Sequence, residues 1–181
     1  GEVTLVFSIP TLENRCADPT CIVLLCLDGN GQPVTLTRIK AAALSAVRAA
    51  AIDPFGRIVV IGETQSGGVR GYDFGVVRFK PDLSDDLVFG GDGGVAIDFA
   101  GGRDNTDIPI GLAFDQAGNI VVAGMAQRSA AGDYDIGVVR LRESDGSVDP
   151  MFGKRFVAYD LNGLGEDEAM SVAIDSSGRI V

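Results

Sequence analysis

Histidine and tryptophan are absent from the chain, and each absence narrows what the protein can do. Without histidine the commonest general base and metal ligand is missing, and neither a Ser-His-Asp nor a Cys-His nucleophilic site can be assembled. Basic residues are scarce, 15 against 25 acidic ones, for a formal net charge of −10. That balance excludes the basic footprint nucleic acid requires and opposes anionic membrane surfaces. It reads as solubility through self-repulsion rather than as a site for cations or basic partners. Apolar runs stop well short of the ~18 residues a membrane helix needs. No basic n-region with an apolar h-region opens the chain, so any signal peptide is expected to have been removed already.

Cysteine is limited to positions 16, 21 and 26. The spacing Cys16-x4-Cys21 fits neither a CxxC redox motif nor a zinc site, which would want a second pair or histidines. A Cys16–Cys21 disulfide across the loop is open if the protein is secreted. Cys26 reads as a small buried apolar residue.

What the chain has is recurrence. Asp53-Pro-Phe-Gly-Arg-Ile-Val-Val-Ile-Gly62 returns as Asp115-Gln-Ala-Gly-Asn-Ile-Val-Val-Ala-Gly124, and again as Asp175-Ser-Ser-Gly-Arg-Ile-Val181. The first two aspartates are 62 residues apart and the next two 60. Asp73-Phe-Gly-Val-Val-Arg-Phe79 matches 135–141, Asp86-Leu-Val-Phe-Gly90 matches 149–153, Gly94–Phe99 matches 156–161, and Ile110–Asp115 matches Met170–Asp175. A period near 60 makes this a tandem repeat protein. Each period holds four short strands rich in β-branched and aromatic residues between Gly- and Asp-rich turns, hence one antiparallel sheet.

The apolar runs 57–62 and 73–79 lack a polar face, so each sheet must be covered on both sides. Sheets stacked around an axis, as β-propeller blades, supply that cover; a β-sandwich is the other arrangement that would. The expected fold is therefore all-β, with repeats at 56–117 and 118–177, a degenerate one at 1–55, and the start of another at 178–181. Within 1–55, strands are expected at 2–7 (laid over Arg57–Ile61), 21–27 and 34–39, with Asp28-Gly-Asn-Gly31 as a turn. Lys40 to Ala51 is Ala-rich and favours helix on propensity. The repeat register assigns 48–52 to a strand instead, with room for a helical turn over 40–46. The stretch Asp115–Gly124 is expected to be the joint between blades.

The unit Gly-Arg-Ile-Val-Val…Gly, Asp-Phe-Gly-Val-Val-Arg, Asp-x-x-Phe-Gly and Val-x-x-Asp-Phe resembles the delta-60 repeat. In the first copy Ser8 stands for Gly62 and Gly124, Leu25 for Arg78 and Arg140, and the Asp-x-x-Phe-Gly is missing. The resemblance implies a bacterial repeat of large exported proteins taken to form β-propeller blades, with no established biochemical activity.

The recurrent polar residues have structural readings. Asp53, Asp115 and Asp175, each three residues before Gly56, Gly118 or Gly178, are turn builders whose carboxylates accept backbone N–H groups. Asp73/Asp135 and Arg78/Arg140 sit five apart, on opposite faces of a strand, so each is expected to pair with a neighbouring strand or blade. Asp86/Asp149 with Phe89/Phe152 read as a capped turn with a plugging aromatic. The acidic loops offer carboxylates for calcium, with Asp82, Asp85, Asp86, Asp104 and Asp107 as weak candidates, together with 166–168; none carries an EF-hand pattern. Gly90–Gly94 is not a phosphate loop.

No catalytic constellation and no cofactor are expected. The sequence points to a non-catalytic structural or binding module, secreted or at the cell surface, meeting protein partners or its own copies through rim loops or edge strands. Nucleic acid and membrane insertion are not expected. A carboxylate-based carbohydrate-active propeller and a filament subunit are the rival classes.

Overall fold

The computed structural model describes residues 3–10, 20–39, 44–65, 71–99, 105–129, 133–152, 156–161 and 166–181. Among them lie eleven strands and no helix, and so none long and apolar enough to cross a membrane. Strands β1 (Val3–Pro10), β2 (Thr20–Leu27) and β3 (Pro33–Ile39) form a three-stranded sheet in that order. Strands β4 (Ala46–Ile52), β5 (Ile58–Thr64), β6 (Asp73–Phe79) and β7 (Gly94–Ile97) form a second. Strands β8 (Ile108–Phe114), β9 (Ile120–Ser129), β10 (Asp133–Leu141) and β11 (Phe156–Tyr159) form a third. All pairings within the sheets are antiparallel between consecutive strands.

Each four-stranded sheet takes its first strand from the end of one sequence period and the next three from the following period. The sheets span 46–97 and 108–159, one strand out of phase with 56–117 and 118–177. The Asp115 turn therefore lies inside a sheet, as the β8–β9 hairpin, and the expectation that it joins two blades is corrected. A tight turn pairs the strands on either side of it locally, which leaves the longer loops to cross between sheets. β1 of the first sheet packs against β4, as both β4 and β5 pack against β8.

In the Ala-rich stretch strand pairing overrides helix propensity. Ala49, Ala50 and Ala51 are paired with Ile61, Val60 and Val59 and partly buried. The helical turn allowed over 40–46 falls largely outside the described residues, and Ala46 is already strand. Met170–Asp175 forms only a short ladder, the bridge Ile174–Ile180 with reciprocal backbone bonds between Ala173 and Val181.

Stacking follows from the period-2 alternation. Val59, Ile61, Phe74 and Val76 point from the second sheet to a shared core with Ile120, Val122, Val139 and Leu141 of the third. Ile58, Val60, Val77 and Phe79 point the other way and pack with Leu44. Val121, Ala123 and Val138 leave the third sheet on its far side and are covered by Val172, with Ile174 and Ile180 against them. Both faces of β5 and β9 are thus buried, as their unbroken apolar runs require.

Candidate functional site

The Asp-x-x-Gly turns are one device used repeatedly. Asp53 Oδ1 accepts from the backbone N–H groups of Phe55 and Arg57, both at 2.9 Å. Asp115 does the same for Ala117 and Asn119 at 2.9 Å, and Asp175 for Ser177 and Arg179 at 2.8 and 2.9 Å. Gly56, Gly118 and Gly178 carry φ of 80°, 84° and 80°, where a Cβ is strained. Asp28 repeats the pattern with Asn30 and Gln32, closed by Gly31 at φ 79°, so this turn belongs to the same type although it lies off the 60-residue register. The backbone bonds hold the Asp28 and Asp175 carboxyls below their ordinary value, with the Arg179 side chain adding to the effect at Asp175.

The recurrent arginine closes a different device. Arg78 is almost wholly buried, with Nε 2.8 Å from Asp86 Oδ2 and its guanidinium 4.4 Å from the Phe89 ring centroid. Its Nη1 donates to the backbone carbonyl of Glu143, on the third sheet's β10–β11 loop. Gly90 N donates to Asp145 O at 2.9 Å, and Gly146 lies so close to Phe89 that an added Cβ would sit 2.6 Å from the ring. The Glu143 carboxylate reaches back to Arg57 Nη1 at 2.7 Å. The arginine thus pairs both with its own sheet's loop and with the next sheet, and here lies the joint between the two. Arg140, Asp149 and Phe152 repeat the triplet, at 2.8 Å and 5.1 Å, on the third sheet's far face.

Two groups of carboxylates recur that the sequence reading did not assemble. Asp73, Asp98 and Asp107 bring one oxygen each to within 4.8 Å of one another, and Asp135, Asp160 and Asp167 do so one repeat later. Their spacings of 62, 62 and 60 residues were visible in the sequence. In the sequence Asp98 and Asp160 stand only as the aspartate of the recurring third-strand element. Three oxygens at such separations could share a cation or a proton. They also serve the fold. Asp107 is fully buried, and its two oxygens accept from Gln127 N at 2.9 Å and Phe99 N at 3.0 Å. Its own N–H donates to Tyr72 O, as that of Asp167 does to Tyr134 O.

Burial, offset by those two bonds and reinforced by Asp73 and Asp98, pushes the Asp107 carboxyl up to about 6. Its folded value thus exceeds its unfolded one, so its contribution to stability is full below pH ~4 and is lost as pH rises through 6. Asp107→Asn removes this dependence and leaves one of two backbone N–H groups without an acceptor, at about 1–3 kcal/mol. Urea midpoints of both proteins should show wild type gaining on the variant as pH falls from 7 to 5. A constant gap would contradict the assignment.

Among the described residues the expected calcium candidates are not gathered into one group. Asp82 caps the Ser84 N–H and hydroxyl at 3.0 and 2.6 Å, Asp86 is neutralised by Arg78, and Asp85 joins neither carboxylate triad. Short turns spend their carboxylates on their own backbone, so of Asp82, Asp85, Asp86 and Asp107 only Asp107 enters a triad, while Asp167 of the 166–168 loop enters the other. Asp104 and Cys16 lie outside the described residues, so the Cys16–Cys21 pairing does too.

A further feature arises at the inner edge. Arg48 in β4 and Ile110 in β8 are extra residues, each forming a bulge where the register slips against the neighbouring strand. Gly62 and Gly124 permit it, because a Cβ there would meet Ala46 O at 1.9 Å and Ile108 O at 2.1 Å. The glycine that ends each Val-Val-x-Gly run is therefore required by the bulge opposite. Arg48, Ile108, Ile110, Met125 and Glu168 line an open cavity of about 370 Å³ there.

Stacked four-stranded antiparallel sheets that converge on one edge and repeat their joint residues define a β-propeller-type repeat protein. Residues 56–89 and 118–152 match the family model described as a domain of unknown function (DUF5122) beta-propeller. Both matches run from the turn glycine through the Asp-x-x-Phe joint. Curated proteins show no match to the chain.

Proposed function

We propose that the chain is a non-catalytic structural or binding repeat module, secreted or at the cell surface, that assembles with further repeats or copies through its open face and edge strands. One comparison carries the reading. Arg78 leaves 1% of its side chain exposed and Arg140 leaves 26%, although both make the same ion pair on the same kind of strand. Phe89 is fully buried and Phe152 only partly. Among the described residues a whole sheet packs over the first, whereas over the second only Ala169, Val172, Ile174 and Ile180 lie against the far face. Export is supported by the likeness to the delta-60 repeat.

The turn aspartates and the Arg-paired aspartates are engaged in holding backbone and joints, which supports a scaffold over an enzyme. A carboxylate-based hydrolase has less behind it. Glycosidase carboxyl pairs stand about 5 to 9.5 Å apart around their bond, whereas the triad oxygens cluster within 4.8 Å. A glycan-hydrolysis signal abolished by a single Asp→Asn change would reverse this.

Sedimentation over a wide concentration range tests the assembly. Association that grows with concentration and falls with Met151→Asp is the expected result; residue 151 is exposed, so this change spares the fold. A monodisperse monomer at high concentration would overturn it. Polymers in negative-stain images would instead identify a filament subunit.

A further inference from the structure

We propose that the cavity at the inner edge binds a small zwitterion with an apolar side chain, an apolar α-amino acid or a short peptide of such residues. The inference extends the binding side of the reading above and stands or falls separately from assembly.

The first ground is how the cavity is made. A bulge re-aims one side chain out of the strand's alternation, and here the same bulge occurs at two positions 62 residues apart. Each is held open by a glycine on the neighbouring strand that tolerates no Cβ. Both bulged residues reach the same space. The second ground is what varies. The frame residues are alike in the two well-matched copies: Asp53 and Asp115, Gly62 and Gly124, Arg78 and Arg140, Phe89 and Phe152. The bulged residues are Arg48 and Ile110, an ion and a hydrocarbon. A repeated device that presents different chemistry at each copy suits reading a ligand, since the fold alone would be served by identical residues.

The lining then names the ligand. Arg48 is 44% exposed and oriented by Glu63, whose Oε1 accepts from both Nε and Nη2. Two of its five N–H donors are used there, which leaves three for a carboxylate, the group its planar fork matches best. Glu168 is exposed on the same cavity and has no hydrogen-bond partner among the described residues, so it can take an ammonium. Ile108, Ile110 and Met125 supply the apolar wall, and methionine adapts to differently shaped hydrocarbon. A volume of about 370 Å³ is near the small end of the ~300–1,000 Å³ typical of ligand sites. It suits one or two residues rather than a longer chain.

Isothermal titration of the whole chain with L-leucine, leucyl-leucine, glycine, L-leucinamide and N-acetyl-L-leucine tests this. Leucine or leucyl-leucine should bind saturably. Glycine, which lacks the apolar side chain, and leucinamide, which lacks the carboxylate, should bind at least ~10-fold more weakly. Glu168→Gln should lower leucine binding while leaving N-acetyl-leucine unchanged, and as an exposed residue it leaves folding intact. Arg48→Gln should abolish binding of both. The proposal is overturned if neither leucine nor its dipeptide binds at ~10 mM, or if leucinamide and glycine bind as well as leucine. Sedimentation of Glu168→Gln should match wild type, so a failed ligand and a failed assembly are told apart.

Discussion

Arg78→Ala is expected to cost about 3–5 kcal/mol of unfolding free energy, and Arg140→Ala only about 1 kcal/mol. The two residues occupy the same position in successive repeats, pair with equivalent aspartates at 2.8 Å and lie over equivalent phenylalanines. What differs is their surroundings. Arg78 is sealed between two sheets, where removing it strands the Asp86 carboxylate without its counter-ion and leaves the Glu143 carbonyl short of a donor. A buried charge deprived of its partner is the costly case. Around Arg140 water reaches a quarter of the side chain and screens what is left behind. Burial pulls the Arg78 guanidinium below its ordinary value, helped by the nearby charge of Arg57, while Asp86 opposes the shift. With total stability of a domain at about 5–15 kcal/mol, the first loss is a large fraction of it. Equilibrium urea unfolding of both variants measures the difference directly. Equal losses would mean that the cover of Val172, Ile174 and Ile180 seals Arg140 as fully as the third sheet seals Arg78.

Much of this was legible in the residues, for identifiable reasons. The Asp-x-x-Gly turns could be read because one side chain and one backbone angle carry the entire device, and both leave a residue-type signature. The strands 58–64 and 73–79 could be read because an unbroken β-branched run admits little else at that length. Which strand opens each sheet could not, since the repeat period is the same wherever the sheet is taken to begin. The second partner of Arg78, a backbone carbonyl 65 residues away, leaves no trace in the sequence because every residue has one. The carboxylate triads were present as three separate recurrences, yet only folding brings the end of β7 beside the start of β8. The Arg48 bulge was hidden in an alanine-rich run, where one extra residue changes no visible pattern. Its signature stood across the hairpin instead, in the glycine that ends the apolar run.

That glycine leads to the other large effect. Gly62→Ala and Gly124→Ala should each cost about 3 kcal/mol or more, above the usual range for crowding one methyl into a packed site. The obstacle is backbone, not a yielding side chain: the new Cβ would lie 1.9 Å from Ala46 O or 2.1 Å from Ile108 O. Neither glycine has positive φ, so the penalty is purely steric and the paired strand must retreat or lose its bulge. Gly178→Ala is the contrast. Its φ of 80° strains any Cβ, but nothing lies within 4 Å of it, and about 1–2 kcal/mol is expected. Urea unfolding should separate the two classes. Hydrogen exchange should then show faster opening at Val47 to Ala49 in Gly62→Ala and at Pro109's neighbours in Gly124→Ala, with the Asp turns unaffected. Because the bulge is what carries Arg48 into the cavity, Gly62→Ala should also lose any ligand that Arg48 holds, even where the protein still folds. An alanine tolerated at either position would mean that the two strands can separate freely there, and that the bulged residues are not fixed in the cavity.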